Sequence, residues 1–141
     1  MERRKFLEEA CSLCLIAGSG FLLGGLASCS SIPVYEAERS GNKVTVPASL
    51  LADGTVHIVR PAGYAYDIAV QRMPDGSILA LLLRCTHADN QVTWTGDGYY
   101  CSLHGSRYDE HGAVARGPAQ RPLLRVTAES PDDQVILTLP A

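Results

Sequence analysis

Past residue 42, short runs of apolar and β-branched residues alternate with turn residues. The turns are rich in Gly, Asp and Pro, as at residues 52–54, 74–76 and 96–98. No stretch past residue 30 keeps a 3.6-residue apolar period long enough for a substantial helix. The chain after residue 42 is therefore expected to be an antiparallel all-β domain. The predicted strands are residues 43–47, 55–60, 67–72, 77–85, 92–95, 99–101, 114–116, 123–128 and 135–139.

Residues 1–28 have the layout of an export signal that precedes this domain. A basic start (Arg3, Arg4 and Lys5) is followed by residues 11–27, which carry no charge. That apolar stretch is at the short edge of what spans a bilayer, so a removable signal is favoured over a retained anchor helix. The arginine pair resembles the twin-arginine signal, which exports proteins already folded around a cofactor. An ordinary positively charged signal start is the alternative.

A cysteine stands directly after this apolar stretch, in Leu26-Ala27-Ser28-Cys29. The four residues resemble a bacterial lipobox, in which Cys29 is lipid-modified and becomes the first residue. Several acyl chains on one cysteine anchor a protein firmly, whereas the alternative is a chance cysteine at the end of a helix. The prediction is a signal over residues 1–28, a tether over 29–42 and a domain over 43–141. The protein is then anchored to the membrane of a bacterial cell envelope and faces the periplasm or the exterior.

Composition narrows the classes of function that the domain can have. With 141 residues the chain has room for about one domain. Hydrophobic residues make up 46% of it, which excludes wholesale disorder. The net charge is −3 at pH 7. Nucleic-acid binding depends on a surplus of Lys and Arg, so no nucleic-acid partner is expected.

Two cysteines of the predicted domain each have a histidine close by. Cys85 and His87 form a C-x-H pair. After thirteen intervening residues, Cys101 and His104 form a C-x-x-H pair. Both pairs follow predicted strands, where short turns can aim side chains at one point. Three kinds of site use such residues: a disulfide, one tetrahedral zinc ion, or a two-iron cluster with cysteines on one iron and histidines on the other. Each loop here offers one cysteine and one histidine, and this pairing of unlike ligands suits the two-iron cluster.

The chain after about residue 43 resembles the Rieske 2Fe–2S family. The resemblance is centred on residues 85–87 and on the segment 101–109, CSLHGSRYD. Residues 112–114 and 117–119 resemble the turn and the proline loop that cover the cluster in that family. The resemblance implies an antiparallel β domain with its cluster-binding loops at one end.

Ligand roles follow from the same resemblance. It implies that Cys85 and Cys101 bind the inner iron of a 2Fe–2S cluster. It implies that His87 and His104 bind the outer iron, near the surface where electrons enter and leave.

Residues around the ligands also match the family in part. The resemblance gives Ser106 and Tyr108 the role of hydrogen-bond donors to the cluster sulfurs, and it places Pro118 in the covering loop. Such donors raise the potential, so the upper half of the family's range of about −150 to +300 mV is expected. Asn90 and Leu103 depart from the family, because Rieske proteins of cytochrome bc complexes have bridging cysteines there.

The resulting functional prediction is a one-electron carrier, either the redox subunit or a shuttle of a membrane-associated respiratory or oxidoreductase system. We expect it to be a component of an oxidoreductase complex and not itself a catalyst. Its expected partners are a cytochrome or an oxidoreductase subunit, with the membrane held through the lipid or the N-terminal anchor. Two alternatives stay open: a ferredoxin-type donor to an oxygenase, and a zinc-stabilised binding lipoprotein with no redox role.

Overall fold

Three four-stranded β-sheets build the part of the chain that the computed structural model describes, residues 32–140. The predicted signal and Cys29 lie outside these residues. The prediction of an antiparallel all-β domain is confirmed, and no helix within 32–140 is long and apolar enough to cross a membrane. The strands are β1 Val34–Ala37, β2 Arg39–Ser40, β3 Lys43–Pro47, β4 His57–Pro61, β5 Ile68–Arg72, β6 Ile78–Leu82, β7 Thr93–Trp94, β8 Gly98–Tyr100, β9 Arg107–Asp109, β10 Val114–Arg116, β11 Thr127–Glu129 and β12 Gln134–Thr138, with a 3-10 turn at Ala48–Leu51.

The central sheet has the strand order β1-β4-β5-β6 and the base sheet the order β11-β12-β3-β2. Apolar side chains of both sheets meet in a first core, which contains Val44 and Val46 of β3 and Ile68 and Val70 of β5. The alternation of buried and exposed residues along β3 follows the period of two that a strand with one solvated face requires.

Strand β6 is buried on both faces, and this places the first cysteine. Ala80 and Leu82 point into the first core, whereas Leu79 and Leu81 point into a second core on the other side of the sheet. Successive side chains of a strand alternate in direction. The odd-numbered residues continue into the second core beyond the strand end, so that Cys85 is fully buried there.

The third sheet, with the order β10-β9-β8-β7, carries the second cysteine. Tyr99 of β8 pairs with Tyr108 of β9, and both rings are buried in the second core. Cys101 lies two residues beyond Tyr99 and is buried in the same core. The two cysteines therefore reach one core from two different sheets.

The structure differs from the sequence prediction at the predicted tether. Residues 34–37 form β1, which pairs in parallel with β4, and residues 39–40 form β2. Ala37 is buried in the first core, so this segment is part of the sheet and not a linker. The sequence prediction also omitted β9. Of the predicted strand 123–128, only the last two residues lie in a strand.

Candidate functional site

A closed loop carries the first cysteine and the first histidine. In this first loop, residues 85–90, the Cys85 N–H donates to the Asn90 carbonyl at 2.8 Å. The Asp89 N–H donates back to the Cys85 carbonyl at 3.0 Å. The loop is thus pinned by two backbone hydrogen bonds, and His87 lies at its tip with its side chain exposed.

A second loop, residues 101–106, has the same hydrogen bonds. The Cys101 N–H donates to the Ser106 carbonyl and the Gly105 N–H donates to the Cys101 carbonyl, both at 2.9 Å. The fourth residue after each cysteine has a positive φ, 80° in this loop and 51° at the equivalent position of the first loop. Loops of different sequence therefore share one backbone plan.

The four predicted ligands come together as two like pairs. Cys85 and Cys101 are free thiols and fully buried. His87 and His104 are exposed, and their rings meet edge to face with centroids 4.9 Å apart. Within residues 32–140, no three histidine, cysteine or carboxylate side chains form a group that could hold one metal ion. The sulfur pair lies inside and the imidazole pair lies at the surface.

Tyr108 lies beside the first thiol. Its hydroxyl oxygen is 3.4 Å from Cys85 Sγ and accepts the Thr86 N–H at 3.1 Å. The Thr86 hydroxyl donates its own proton to the Arg121 carbonyl at 2.6 Å. It therefore has none left for Tyr108, whose proton goes to the Cys85 sulfur or to the Thr86 oxygen.

The surroundings of Cys85 favour its thiolate form. Burial raises the pKa of the Cys85 thiol, but hydrogen bonds from Tyr108, from the His87 and Ala88 amides and from Cys101 outweigh burial, so that the net pKa is lowered. Burial and the bond to Cys85 raise the pKa of Tyr108, which therefore keeps its proton for donation. A thiolate is the form in which cysteine binds metals.

Ser106 connects the second loop to the proline loop. Its hydroxyl is fully buried and accepts the Ala119 N–H at 3.0 Å. Among residues 32–140, no acceptor takes the proton of this hydroxyl. Pro118 is exposed, follows a cis peptide bond after Gly117, and lies next to the bonded Ala119.

The thiol and imidazole side chains fit the chemistry of a Rieske cluster. Two buried thiols match an inner iron, and two exposed imidazoles match an outer iron. The buried Ser106 hydroxyl has a proton that could be donated to a sulfur held between the loops. Hydrogen bonds to sulfur are among the features that tune such clusters.

Two residues at the site, Asn90 and Asp89, make contacts that the sequence does not predict. The Asn90 amide nitrogen lies 3.8 Å from Cys101 Sγ. Asp89 accepts a bond from Arg84 Nε at 2.8 Å through its carboxylate and one from the Tyr66 hydroxyl at 2.7 Å through its backbone carbonyl. An aspartate four residues after a cysteine is a weak signal of a left-handed corner. Nothing in the sequence pairs Asn90 with Cys101.

Known proteins resemble this chain in sequence. The family model described as "Rieske [2Fe-2S] domain" matches residues 42–131, more than half of the chain. The cytochrome b6-f complex iron-sulfur subunit 1 of Synechocystis sp. is 35% identical over 128 residues, which cover 86% of this chain. The chain spans 64% of that relative's length.

Solved structures share the fold. The cyanobacterial plasma membrane Rieske protein PetC3 from Synechocystis superimposes with a TM-score of 0.53 at 26% identity, over 67% of this chain and 98% of that one. A chain from the complex of oxygenase and ferredoxin in carbazole 1,9a-dioxygenase gives 0.50 at 28% identity, over 70% and 94%. This chain therefore belongs to the Rieske [2Fe-2S] domain family, and a Rieske-type 2Fe–2S cluster is its cofactor.

Proposed function

We propose that the protein carries one electron at a time on a 2Fe–2S cluster held by Cys85, Cys101, His87 and His104. The observation that supports this assignment is the sorting of the four side chains. The two thiols are buried together and the two imidazoles meet at the surface. A cluster with sulfur ligands on one iron and nitrogen ligands on the other requires that sorting.

The bound cluster supplies a site that takes up and releases a single electron. Because both thiols are fully buried, water does not reach the inner end of the site. Each exposed imidazole uses one ring nitrogen as a ligand and leaves the other at the surface, where a partner protein can contact it. His87 and His104 thereby form the contact through which electrons enter and leave.

The polar groups around the thiols indicate the reduction potential to expect of the cluster. Tyr108 bonds to Cys85 Sγ, and the Ser106 hydroxyl has an uncommitted proton. Donors to sulfur stabilise the reduced cluster, which has the additional negative charge. We therefore place the potential in the upper half of the family's range of about −150 to +300 mV. A redox titration checks this assignment.

Purified protein tests the ligand set. The expected material is brown, contains two irons and two acid-labile sulfides per chain (the composition that defines such a cluster), and gives a paramagnetic signal of low average g when reduced. His104→Ala should lose the cluster, whereas His111→Ala, an exposed histidine outside the two loops, should retain it. Colourless protein with one zinc ion would support the binding lipoprotein instead.

We also propose that the domain is held at a membrane of the cell envelope. The supports are the export-signal layout of residues 1–28, the lipobox-like Leu26-Ala27-Ser28-Cys29, and relatives named as a cytochrome b6-f subunit and a plasma membrane protein. The partner would then be a cytochrome or an oxidoreductase subunit. Labelled palmitate should enter the protein in bacteria and should be absent from Cys29→Ala.

A second candidate role is electron donation to an oxygenase, favoured by the likeness to the carbazole dioxygenase complex. Cell fractionation separates the two roles. Protein recovered with the membranes supports the respiratory role. Protein recovered in the cytoplasm, with an intact leader and no lipid, supports the ferredoxin role.

A further inference from the structure

The side chain of Asn90 reaches from the end of the first loop to the cysteine of the second. Its Nδ2 lies 3.0 Å from the Gln91 carbonyl oxygen and 3.8 Å from Cys101 Sγ. An amide group has two protons, so it can make both contacts at once. The orientation of the amide is fixed, because a carbonyl oxygen cannot face the Gln91 carbonyl favourably.

The backbone of the same residue holds the other cysteine. The Asn90 carbonyl accepts the Cys85 N–H at 2.8 Å. A single residue thus bonds to Cys85 through its backbone and faces the Cys101 sulfur through its side chain. The side chain is half-buried, so water competes with it only in part.

We propose that Asn90 is a positioning residue whose amide donates a hydrogen bond to the Cys101 sulfur and raises the reduction potential. The inference rests on the proposed function, since Cys101 becomes a charged acceptor only as a ligand. Tyr108 faces Cys85 Sγ in the same way. Each ligand sulfur thereby has one side-chain donor, and the added charge of the reduced state strengthens both bonds.

The amide also joins the two loops where a covalent bridge is missing. Rieske proteins of cytochrome bc complexes have a cysteine at the position of Asn90. In this chain the amide contact is a side-chain link between the end of the first loop and Cys101. The amide contact is not covalent, and it is directed at the ligand sulfur. We therefore expect its removal to change the reduction potential more than the stability of the fold.

Asn90→Leu in the full holoprotein tests the proposal, with Gln91→Leu as its matched control. Both variants lose one amide, but Gln91 donates to the Val92 carbonyl and not to sulfur. We expect Asn90→Leu to keep its iron and to have a lower midpoint potential. A tenfold change in the reduction equilibrium corresponds to about 59 mV for one electron. Gln91→Leu should keep the wild-type potential.

An iron-loaded Asn90→Leu protein with the wild-type potential would overturn the role of Asn90 and leave the ligand set intact. Wild-type protein without iron would instead overturn the proposed function. The two failures are therefore distinguishable.

Asn90→Asp decides the question if the leucine variant does not fold. It keeps the shape of the side chain but replaces the donor with a carboxylate. Gln91→Glu adds the same charge one residue further on. A larger fall in potential for Asn90→Asp than for Gln91→Glu supports a bond to sulfur. Equal falls overturn it, because added charge alone then explains both.

Discussion

Asp89 and Gly105 occupy the same place in two loops of different sequence. Each is the fourth residue after a cysteine, each donates its N–H to that cysteine's carbonyl, and each has a positive φ. Glycine adopts this conformation freely, and aspartate tolerates it better than most residues do. The shared corner closes both loops at the same length although their histidines stand at different positions.

Gly105→Ala should destabilise the protein and loosen the cluster. A Cβ at Gly105 would have nothing within 4 Å, so the penalty comes from the φ of +80° alone. That penalty is about 1–2 kcal/mol. Urea unfolding measures the stability, and the decay of visible absorbance in a chelator measures cluster retention. Both the stability and the cluster retention should be lower in the variant.

Gly76→Ala is the matched control for this prediction. Gly76 lies in the turn between β5 and β6, has a φ of +85°, and also has open space around its Cβ position. It should lose the same stability, while the cluster decays at the wild-type rate under native conditions. Equal decay rates in the two variants would contradict a specific role for the Gly105 corner.

Tyr108→Phe should lower the reduction potential. The variant removes the hydroxyl that lies 3.4 Å from Cys85 Sγ. The potential changes only by the difference between the bond strengths in the two redox states, which we place on the order of 30–60 mV for one electron. Protein-film voltammetry gives the value. Tyr100→Phe, whose ring lies under the Arg107 guanidinium, should leave it unchanged.

If the potential of Tyr108→Phe stays at the wild-type value, the Tyr108 proton goes to the Thr86 oxygen instead of the sulfur. The structure allows that alternative at 3.1 Å.

Local patterns in the sequence were enough to predict the all-β class and the approximate positions of most strands. Within the predicted strand 77–85, the alternation of side chains places residues 79, 81, 83 and 85 on one face, and in the structure this face packs into the second core. The turn glycines at 76 and 96 separate strands in the structure as predicted. These features depend on neighbouring residues and so are visible in one chain.

Features that depend on distant residues were not predictable in this way. The pairing of Val34 with Ile58 places β1 in the central sheet, although the segment reads as a polar linker. The contact between Asn90 and Cys101 depends on two loops from different sheets. The sequence identifies which residues could form the site, and the long-range pairing of strands determines which groups surround them.

Gly98→Ala should disturb the strand that carries Tyr108. Gly98 of β8 lies opposite Asp109 of β9, and a Cβ on it would overlap the Tyr108 carbonyl oxygen. The obstacle is backbone and cannot rotate away, so β9 must shift. Overpacking of this kind costs about 1–3 kcal/mol. We expect a lower urea midpoint together with a lower potential, since Tyr108 moves with its strand.

Gly117→Ala is the matched control, because the nearest atom to its Cβ position is the Ala119 carbonyl oxygen at 3.7 Å, an ordinary contact. It should keep the wild-type potential. If the Gly98→Ala protein has wild-type stability, β8 and β9 can move apart without a loss of stability, which contradicts the prediction.

Asp53→Asn should remove stability at neutral pH and little at acid pH. Hydrogen bonds from His57 and then from the Thr55 backbone N–H lower the pKa of Asp53 from 3.8 to about 2. A carboxylate whose pKa is lower in the folded state stabilises the fold above its unfolded pKa, and this contribution disappears as the pH falls from about 4 to about 2. The difference in urea midpoint between wild type and variant should therefore be largest near pH 6 and shrink towards pH 2. A difference that stays constant from pH 6 to pH 2 would mean that the Asp53 contact with His57 does not form in solution.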